Sequence, residues 1–362
     1  MTTSSLRERA GCWLYERWQA ELVLRAPGLA RTLGLAWQDV HNRSERLQLD
    51  PITGGRVCEW QDSSRLTVAR IFPDVGTRLL RHALQEWPVR FAGADHATAP
   101  GAPDISILIP IAGQSRMAQF RLALATARAQ IGVNTEVVVV EQWPDATLRY
   151  SLPSDVRYLH QIAAEGAQFN KSKALNAGAR AASGRNLIIL DADYVLPERF
   201  AAECAYALEN VDAVRSARWI FYLDRTSSER LATTYDCLTN GGTEAIVSNN
   251  PTPLALRRSV YWEIGGHDEA YEGWGGEDTE FLDRLRIRPI SEGGWMPVLH
   301  AWHAPAPKKA DGDRNRMLHE ERMAIPVEVR IARLRAAQEM RSEEIVEPVP
   351  FRSGHAIEQS QP

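Results

Sequence analysis

The segment from Glu136 to Glu141 constrains the fold strongly, because it places four consecutive valines between two glutamates. An unbroken β-branched run of this kind is typical of a strand that is covered on both faces. Similar apolar runs occupy 105–110 and 186–190, and helical spacing covers 116–130 and 171–182. This alternation of strands and helices predicts an α/β domain with a mainly parallel sheet.

The first hundred residues follow a different pattern. Helical spacing covers Ser4 to Gln38, and the runs Gly55–Trp60 and Leu66–Phe72 are strand-like, which together predict a small α+β module. Residues 92–103 are rich in Ala, Gly and Pro and predict a linker. The sequence therefore predicts an N-terminal module at 1–101, an α/β domain at 102–310, a helical segment at 311–345 and a disordered tail at 346–362.

Composition narrows the class of protein. The formal net charge of -4 lacks the basic balance of a general nucleic-acid binder, so we expect no nucleic-acid partner. The cysteines are scattered without a CxxC pair and predict reduced thiols in a cytoplasmic protein. Charged residues interrupt every apolar run near the N-terminus, and no run reaches the ~18–20 apolar residues of a membrane helix. We expect a soluble protein, with peripheral contact with a membrane left open.

Two carboxylates, Asp191 and Asp193, come directly after the apolar run Leu187–Leu190. Ligands collect at the carboxyl ends of strands in such sheets, and a chain that turns there lets both carboxylates converge on one ion. Hard oxygen ligands suit magnesium or manganese. The alternative interpretation is an ordinary Asp-rich turn, because a DxD pattern taken alone is common.

A histidine pair, His300 and His303, stands near the end of the predicted α/β domain. Imidazole beside carboxylate suits manganese better than magnesium. Either histidine alone is more often part of a core-edge strand or turn. Taken with the carboxylate pair, the two histidines favour a metal site that is assembled from distant segments.

The segment Gly273–Asp278 reads Gly-Trp-Gly-Gly-Glu-Asp. Its glycines permit unusual backbone angles and close approach of a ligand. Trp274 offers an apolar face that could stack on a sugar ring, Asp278 could act as a general base, and Glu277 could accept hydrogen bonds from acceptor hydroxyls. The alternative is a glycine turn into a helix over 277–285 with acids in its first turn, and both interpretations can hold together.

The segment Phe169–Gly178 brings two lysines to the start of a predicted helix. Amide donors and cationic side chains at such a place, Asn170 and Lys171 among them, can bind a nucleotide or its phosphates. The alternative is a capped surface helix. No GxxxxGK[ST] loop occurs, and no GxGxxG follows the first strand of the domain, so a kinase or a dehydrogenase has little support.

Taken in order, these segments resemble a GT-A glycosyltransferase, most closely the β-1,4-galactosyltransferases and related bacterial transferases. The resemblance runs through Phe169–Gly178, Asp191–Asp193 and Gly273–Asp278 to the final histidine, and the Trp-Gly-Gly-Glu-Asp element is its most specific part. It covers roughly 104–307 and implies a GT-A fold, a Rossmann-like mixed sheet.

The resemblance also implies roles for individual residues. Asp193 would bind manganese, or magnesium, together with His303, and His300 could be a third ligand where the family commonly has methionine. Asp191 would support the ribose of the donor or the metal shell. The implied contacts with the nucleotide come from Pro110, Glu141, Asn170 and Lys171. Asp278 would be the catalytic base, and the implied acceptor contacts come from Trp274, Gly276 and Glu277.

The function implied is a manganese-dependent, inverting transfer of galactose, N-acetylgalactosamine, glucose or N-acetylglucosamine from a UDP-sugar to a hydroxyl of a glycan, small molecule or peptide. Asp278 favours inversion, because the polypeptide N-acetylgalactosaminyltransferases carry asparagine there. Ser248–Pro251 departs from the aromatic and glycine residues that shape the donor pocket of the galactosyltransferases, so the donor sugar stays open. The alternatives are a sugar-nucleotide nucleotidyltransferase and a non-catalytic binding protein of the same fold.

Overall fold

A computed structural model describes residues 5–58, 64–93, 101–238, 242–304 and 312–341. The predicted disordered tail at 346–362 lies outside the described residues, as does most of the predicted linker. None of the helices in these ranges has the length and apolarity needed to span a bilayer.

The helices are numbered in chain order. They are α1 (Leu6–Cys12), α2 (Trp18–Arg25), α3 (Pro27–Thr32), α4 (Thr67–Ile71), α5 (Pro73–Glu86), α6 (Met117–Arg128), α7 (Lys171–Ala181), α8 (Phe200–Ala207), α9 (Arg225–Thr234), α10 (Arg258–Glu263), α11 (Glu277–Leu285), α12 (Gly312–Met323) and α13 (Val327–Arg341). A π-helical turn, Trp13–Arg17, joins α1 to α2, and Trp37–Asp39 forms a 3-10 turn.

The strands follow the same order. They are β1 (Leu47–Leu49), β2 (Arg56–Cys58), β3 (Ser64–Arg65), β4 (Ile105–Ile111), β5 (Thr135–Trp143), β6 (Val156–Ile162), β7 (Asn186–Ile189), β8 (Tyr194–Val195), β9 (Ala213–Val214), β10 (Ala217–Leu223), β11 (Thr243–Ser248), β12 (Leu254–Arg257), β13 (Ile290–Ser291) and β14 (Met296–His300).

The larger sheet is mixed and mainly parallel, which confirms the predicted α/β class. Within the described residues its seven strands run in the order β13-β9-β12-β7-β4-β5-β6. Strands β4, β5, β6 and β7 pair in parallel, whereas β12 is antiparallel to both of its neighbours. The carboxyl ends of β4, β5 and β7 therefore meet at one edge, where ligands bind in sheets of this kind.

The valine run of β5 separates two hydrophobic cores. Val137 and Val139 pack into one buried cluster with residues of α6 and α8, whereas Val138 and Val140 pack into another with residues of α7 and α11. Successive side chains of a strand point to opposite faces, so four consecutive valines fill both cores. This arrangement confirms that the strand is covered on both faces.

A second sheet of five strands, counted over the described residues, has the order β3-β11-β10-β14-β8. Strand β14 pairs antiparallel with β8, and the register sets His300 opposite Tyr194. Because Tyr194 directly follows Asp193, this pairing brings the end of β14 beside the acidic segment after β7. The two sheets meet at that point.

The N-terminal segment packs closely on the α/β region. Strand β3 pairs with β11, and Leu80 and Leu84 of α5 share a buried cluster with Trp219 and Phe221 of β10. The segment therefore contributes to a core that extends past residue 101. The predicted domain boundaries themselves stay predictions.

The prediction of a strand at Leu66–Phe72 is wrong, because Thr67–Ile71 forms α4. Its apolar side chains Val68 and Ile71 are buried as expected. However, the amide of Thr67 donates to the side-chain oxygen of Asn42 over 2.7 Å, which satisfies a free amide at the start of the helix. This contact with a residue 25 positions earlier in the sequence favours a helix, although the β-branched residues of the run favour a strand. The local sequence pattern contains no information about such a contact.

Candidate active site

The carboxylate of Asp193 is the centre of a polar cluster. Asp193 is 3% exposed, and one of its oxygens, Oδ2, lies 2.9 Å from Nη1 of Arg116, 3.2 Å from Nε2 of His303 and 3.7 Å from Nε2 of His300. Arg116 precedes α6, whereas the histidines come from the end of β14 and the loop after it. Side chains that are distant in sequence therefore converge on a single oxygen atom.

Two opposing effects act on the protonation of this cluster. Burial raises the pKa of Asp193, but the hydrogen bond from His303 and the charges of His300 and Arg116 outweigh burial, so the pKa is lowered. Burial also lowers the pKa of His300, although Asp193 opposes that effect. The cluster thus favours an ionised carboxylate beside a neutral imidazole, which are the forms that bind a metal.

The donor set fits a divalent cation. Ligand atoms of Asp193, His300 and His303 all lie within 4.8 Å of one another. The Nδ1 atom of His303 lies 2.9 Å from the carbonyl oxygen of Ala304, which can only accept, so Nδ1 carries a hydrogen. When a metal is bound, a neutral ring with this hydrogen on Nδ1 would offer the lone pair of Nε2 to the metal in place of its hydrogen bond to Asp193, as in many metal-ligating histidines. One carboxylate and two imidazoles suit manganese better than magnesium.

Aromatic rings hold His300 in place. The ring of Tyr222 stacks on it at a centroid distance of 4.2 Å, and the ring of Tyr194 meets it edge-on at 5.6 Å. The side-chain amide of Asn250 donates to both tyrosine hydroxyls, over 3.1 Å to Tyr194 and 3.3 Å to Tyr222. The segment Ser248–Pro251, which departs from the galactosyltransferase pattern, therefore orders the surroundings of a candidate ligand.

Asp191 does not join the cluster around Asp193. Its Oδ1 atom lies 2.7 Å from Nζ of Lys171, and its Oδ2 atom accepts a hydrogen bond from Thr252 over 2.6 Å. The two carboxylates thus have different partners in this structure, and their convergence on one ion stays a prediction. The chain turns after Leu190, and the ammonium group of Lys171 takes the first carboxylate while the histidines take the second.

Lys171 connects this carboxylate to the Trp-Gly-Gly-Glu-Asp segment. Its Nζ atom also lies 2.8 Å from Oδ2 and 3.1 Å from Oδ1 of Asp278 in the first turn of α11. Burial lowers the pKa of Lys171, but Asp191, Asp278 and Glu277 outweigh it and raise the pKa above its usual range. Lys171 therefore stays charged, and it joins the end of β7 to the start of α11.

The two acids at the start of α11 are less acidic than usual. Burial raises the pKa of Asp278, although Lys171 opposes the effect. Burial and the neighbouring Asp278 raise the pKa of Glu277 to about 7. A carboxylate whose pKa lies closer to neutrality is a better proton acceptor, so this pair is suited to general-base chemistry.

The glycines before α11 shape a turn that presents Trp274. Gly273, Gly275 and Gly276 all have positive φ, and a Cβ on Gly276 would lie 2.9 Å from the ring of Tyr271. Only glycine fits such a position without strain. The Trp274 side chain is 62% exposed, so its ring face can be reached by a ligand. Helix α11 begins at Glu277, with both acids in its first turn. The helix-start alternative and the functional interpretation of this segment are therefore compatible.

Asn170 caps the helix that carries Lys171. Its side-chain oxygen accepts the amide of Lys173 over 2.8 Å, and its side-chain nitrogen donates to the carbonyl of Glu269 over 2.8 Å. Asn170 therefore fixes the start of α7 against the segment that leads to the glycine turn. Its predicted contact with a nucleotide stays a prediction.

Pro110 and Glu141 lie at the expected strand ends but are enclosed. Pro110 is buried in β4, opposite Val140 of β5. Glu141 is 1% exposed, and its oxygens accept hydrogen bonds from Thr147, from the amide of Leu148 and from the hydroxyl of Tyr158. Glu141 holds the turn after β5, and the predicted nucleotide contacts of both residues stay predictions.

Sequence reasoning missed Arg116, Asn250 and Thr252, which all contact the site. Arg116 follows the first strand of the domain, where a basic residue could have been read as a partner for phosphate or carboxylate. Asn250 and Thr252 lie in or beside the segment that departs from the galactosyltransferase pattern. Their partners are distant in sequence, so no spacing rule connects them.

Comparisons with known families cover the same region. The family model described as glycosyl transferase family 2 matches residues 106–265, and the one described as the N-terminal domain of galactosyltransferase matches residues 253–292. Over these residues the chain is similar to glycosyltransferases of two families. The first match contains Lys171, Asp191 and Asp193, and the second contains the glycine turn with Glu277 and Asp278. The two matched ranges together thus span both carboxylate groups.

Solved structures resemble this chain at low identity. S. aureus TarS 1–349 has a TM-score of 0.40 and 14% identity, with 55% of this chain and 60% of that chain covered. Glucosyl-3-phosphoglycerate synthase from Mycobacterium tuberculosis, in complex with Mn2+, UDP and glucosyl-3-phosphoglycerate, has a TM-score of 0.39 and 17% identity, with 62% and 81% covered. The chain thus spans under two thirds of the TarS structure. No curated protein sequence matches the chain.

Proposed function

We propose that this protein is an inverting, manganese-dependent glycosyltransferase that moves a hexose or an N-acetylhexosamine from a UDP-sugar to an acceptor hydroxyl. One observation carries the proposal. Asp193 belongs to a candidate metal cluster, and Asp191, two residues before it, shares the ammonium group of Lys171 with the candidate base Asp278.

The donor would bind at the metal side of this edge. Asp193, His303 and His300 would hold the manganese ion, which when bound supplies positive charge that stabilises the departing diphosphate. Asp191 lies beside this cluster and would contact the ribose. The amino-terminal end of α7 supports binding of an anionic nucleotide, because the helix dipole there favours negative charge. The choice of UDP rests on the resemblance of the Phe169–Gly178 segment.

The acceptor would bind at the glycine turn. Trp274 would stack on a sugar ring or another flat apolar group, and Glu277 would hold neighbouring hydroxyls. Gly276 would allow the acceptor to approach the backbone closely. The acceptor hydroxyl can belong to a glycan, a small molecule or a peptide, since these contacts recognise a hydroxyl beside an apolar surface.

Asp278 would act as the base. Its carboxylate takes the proton of the acceptor hydroxyl as that oxygen forms a bond to the anomeric carbon. The bond from this carbon to the diphosphate oxygen breaks, and its electron pair leaves with UDP. Attack on the face opposite the leaving group inverts the configuration. A positioned base contributes typically ~10²–10⁴-fold to the rate.

Calorimetric titration of UDP in the presence and absence of manganese tests the donor site. We expect UDP to bind the wild-type protein more tightly with manganese, and we expect Asp193→Ala and His303→Ala to remove that difference. His82→Ala, on α5 outside the site, is the matched control. Unchanged manganese-dependent affinity in both site variants would contradict the metal site.

Release of UDP from a panel of UDP-sugars tests the base. We expect Asp278→Asn to lower turnover by about 10²–10⁴-fold while manganese-dependent UDP affinity stays within about twofold. Asparagine keeps the size of the side chain but cannot take the proton. Normal turnover in this variant would refute the assignment of Asp278.

A further inference from the structure

The amino-terminal helices expose a cluster of large apolar side chains. The buried side of the continuous helix α1–α2 is formed by Cys12, Glu16, Ala20 and Val23. Leu14, Tyr15 and Trp18 are 60%, 60% and 49% exposed. Single exposed apolar residues are normal on a protein surface, whereas a cluster that contains two aromatic rings marks an interaction site.

Basic side chains border this cluster. Arg7 of α1 and Arg25 of α2 are exposed, as are Leu14 and Trp18 between them, and none of the four belongs to the buried side of the helix. Arg43 joins them from the loop after α3, because its guanidinium lies 5.6 Å from the centre of the Tyr15 ring. We define the α1–α2 face as Arg7, Leu14, Tyr15, Trp18, Arg25 and Arg43.

The charge of this region differs in sign from that of the whole chain. Residues 5–33 contain five arginines and three glutamates, a balance of 5 − 3 = +2, while the chain carries -4. The glutamates are engaged: Glu8 pairs with Arg70 at 2.5 Å, and Glu21 pairs with Arg78 and with Arg25, which belongs to the face itself. Within the described part of the chain, no ion pair joins Arg7 or Arg43 to an acid.

We propose that the α1–α2 face docks on the surface of an anionic lipid bilayer. Trp18 and Tyr15 combine an apolar body with a polar edge, which suits the boundary between acyl chains and headgroups. The arginines match the negative charge of lipid phosphates. A second copy of the chain fits this face less well, because a twofold interface would set Arg7, Arg25 and Arg43 against their own counterparts.

The proposal is independent of the proposed function, because no residue of the α1–α2 face contacts the candidate active site. Flotation of the full chain with vesicles tests it. We expect binding to vesicles that contain phosphatidylglycerol, little binding to phosphatidylcholine alone, and weaker binding at high salt, because surface charge is screened. Tryptophan emission should shift to shorter wavelength on binding, and this shift should be lost when Trp18 is replaced by Gln.

Substitutions separate the contribution of the apolar side chains to membrane binding from that of the arginines. Because Leu14 and Trp18 are exposed, we expect L14Q/W18Q to fold normally and to lower the vesicle partition coefficient by at least about tenfold, given the apolar area removed from the membrane. R7Q/R43Q should lower it by about fivefold per arginine and reduce its dependence on salt. Tyr206→Gln is the control, because Tyr206 is 70% exposed on α8, away from the face.

Three results would overturn the proposal: no vesicle binding by the wild-type chain, equal binding by L14Q/W18Q, or equal loss in Tyr206→Gln. Light scattering after size exclusion shows whether the chain forms dimers through this face. If the wild-type chain forms dimers that L14Q/W18Q lacks, and neither binds vesicles, a second copy covers the face. Circular dichroism of each variant shows whether the fold is retained.

Discussion

The ammonium nitrogen of Lys171 lies 2.8 Å from Oδ2 of Asp278, and the same nitrogen lies 2.7 Å from Oδ1 of Asp191. One buried cation therefore holds the carboxylate at the end of β7 and the carboxylate at the start of α11. The two acids belong to segments about ninety residues apart in sequence, one proposed for the donor and one for the acceptor. Lys171 thus sets the distance across which the proposed transfer would take place.

Lys171→Met should destabilise the protein, because it leaves the half-buried carboxylates of Asp191 and Asp278 without their cation. Breaking a fully buried pair from one side costs about 3–5 kcal/mol in the free energy of unfolding, and partial exposure reduces this cost. Chemical denaturation should report a loss below that value, and turnover should fall as well. Lys173→Met is the matched control, because Lys173 is exposed on the same helix. Equal losses in both variants would contradict the bridging role of Lys171.

Arg116 occupies the oxygen of Asp193 that the proposed metal would use. Its Nη1 atom lies 2.9 Å from Oδ2, and two like charges near one oxygen repel each other. Arg116→Gln should therefore strengthen binding of manganese alone by about tenfold or more, while Arg116→Lys should resemble the wild type. Paramagnetic resonance of free manganese, without nucleotide, measures the affinity. Weaker manganese binding in Arg116→Gln would contradict this competition.

The pH dependence of stability follows from Glu277, whose pKa is raised to about 7 from 4.5 by burial and by Asp278. The folded protein therefore holds this proton where the unfolded chain has lost it, so the stabilisation is present at low pH and is lost as pH rises through about 7. Glu277→Gln should remove this dependence, worth at most about 3 kcal/mol. Thermal unfolding of both proteins at acidic and alkaline pH, without metal, is the measurement. If the stability of both proteins changes with pH in the same way, the assignment of this pH dependence to Glu277 is contradicted.

The parts of the fold that depend on local pattern were predictable. The valine run of β5, the strand β7 and the helices α7 and α11 lie where apolar spacing and helix-start signals predict them. The segments that carry Asp193, His303 and Asp278 were also predictable, because each follows a strand or begins a helix. These features depend on residues within one turn or one strand, which a single sequence contains.

The remaining features depend on contacts between distant residues. The helix α4 begins at an amide that Asn42 satisfies, and β8 is defined by its pairing with β14. The partners of Asp191 and of Arg116 lie in other segments. Residue types and their spacing in the sequence therefore could not show that Asp191 and Asp193 have different partners. The surroundings of Glu141 also depend on a distant segment, because Tyr158 of the adjoining strand β6 donates a hydrogen bond to its carboxylate.

Asn315 links helix α12 to the glycine turn. Its side chain is buried, and the amide nitrogen donates to the carbonyl oxygen of Glu272 over 2.8 Å and to that of Trp274 over 3.2 Å. A turn with several glycines loses much conformational freedom when it is ordered, so such bonds are needed to hold Trp274 in position.

Asn315→Ala should therefore loosen the turn and leave the donor site unchanged. The loss of two hydrogen bonds corresponds to about 1–3 kcal/mol, so amide hydrogen exchange across 272–276 should accelerate about fivefold to a hundredfold. Manganese-dependent UDP affinity should stay the same. Arg316→Ala is the control, because its exposed side chain pairs along the helix with Glu320 and Asp313. If exchange in the turn is unchanged in Asn315→Ala, α12 does not position Trp274.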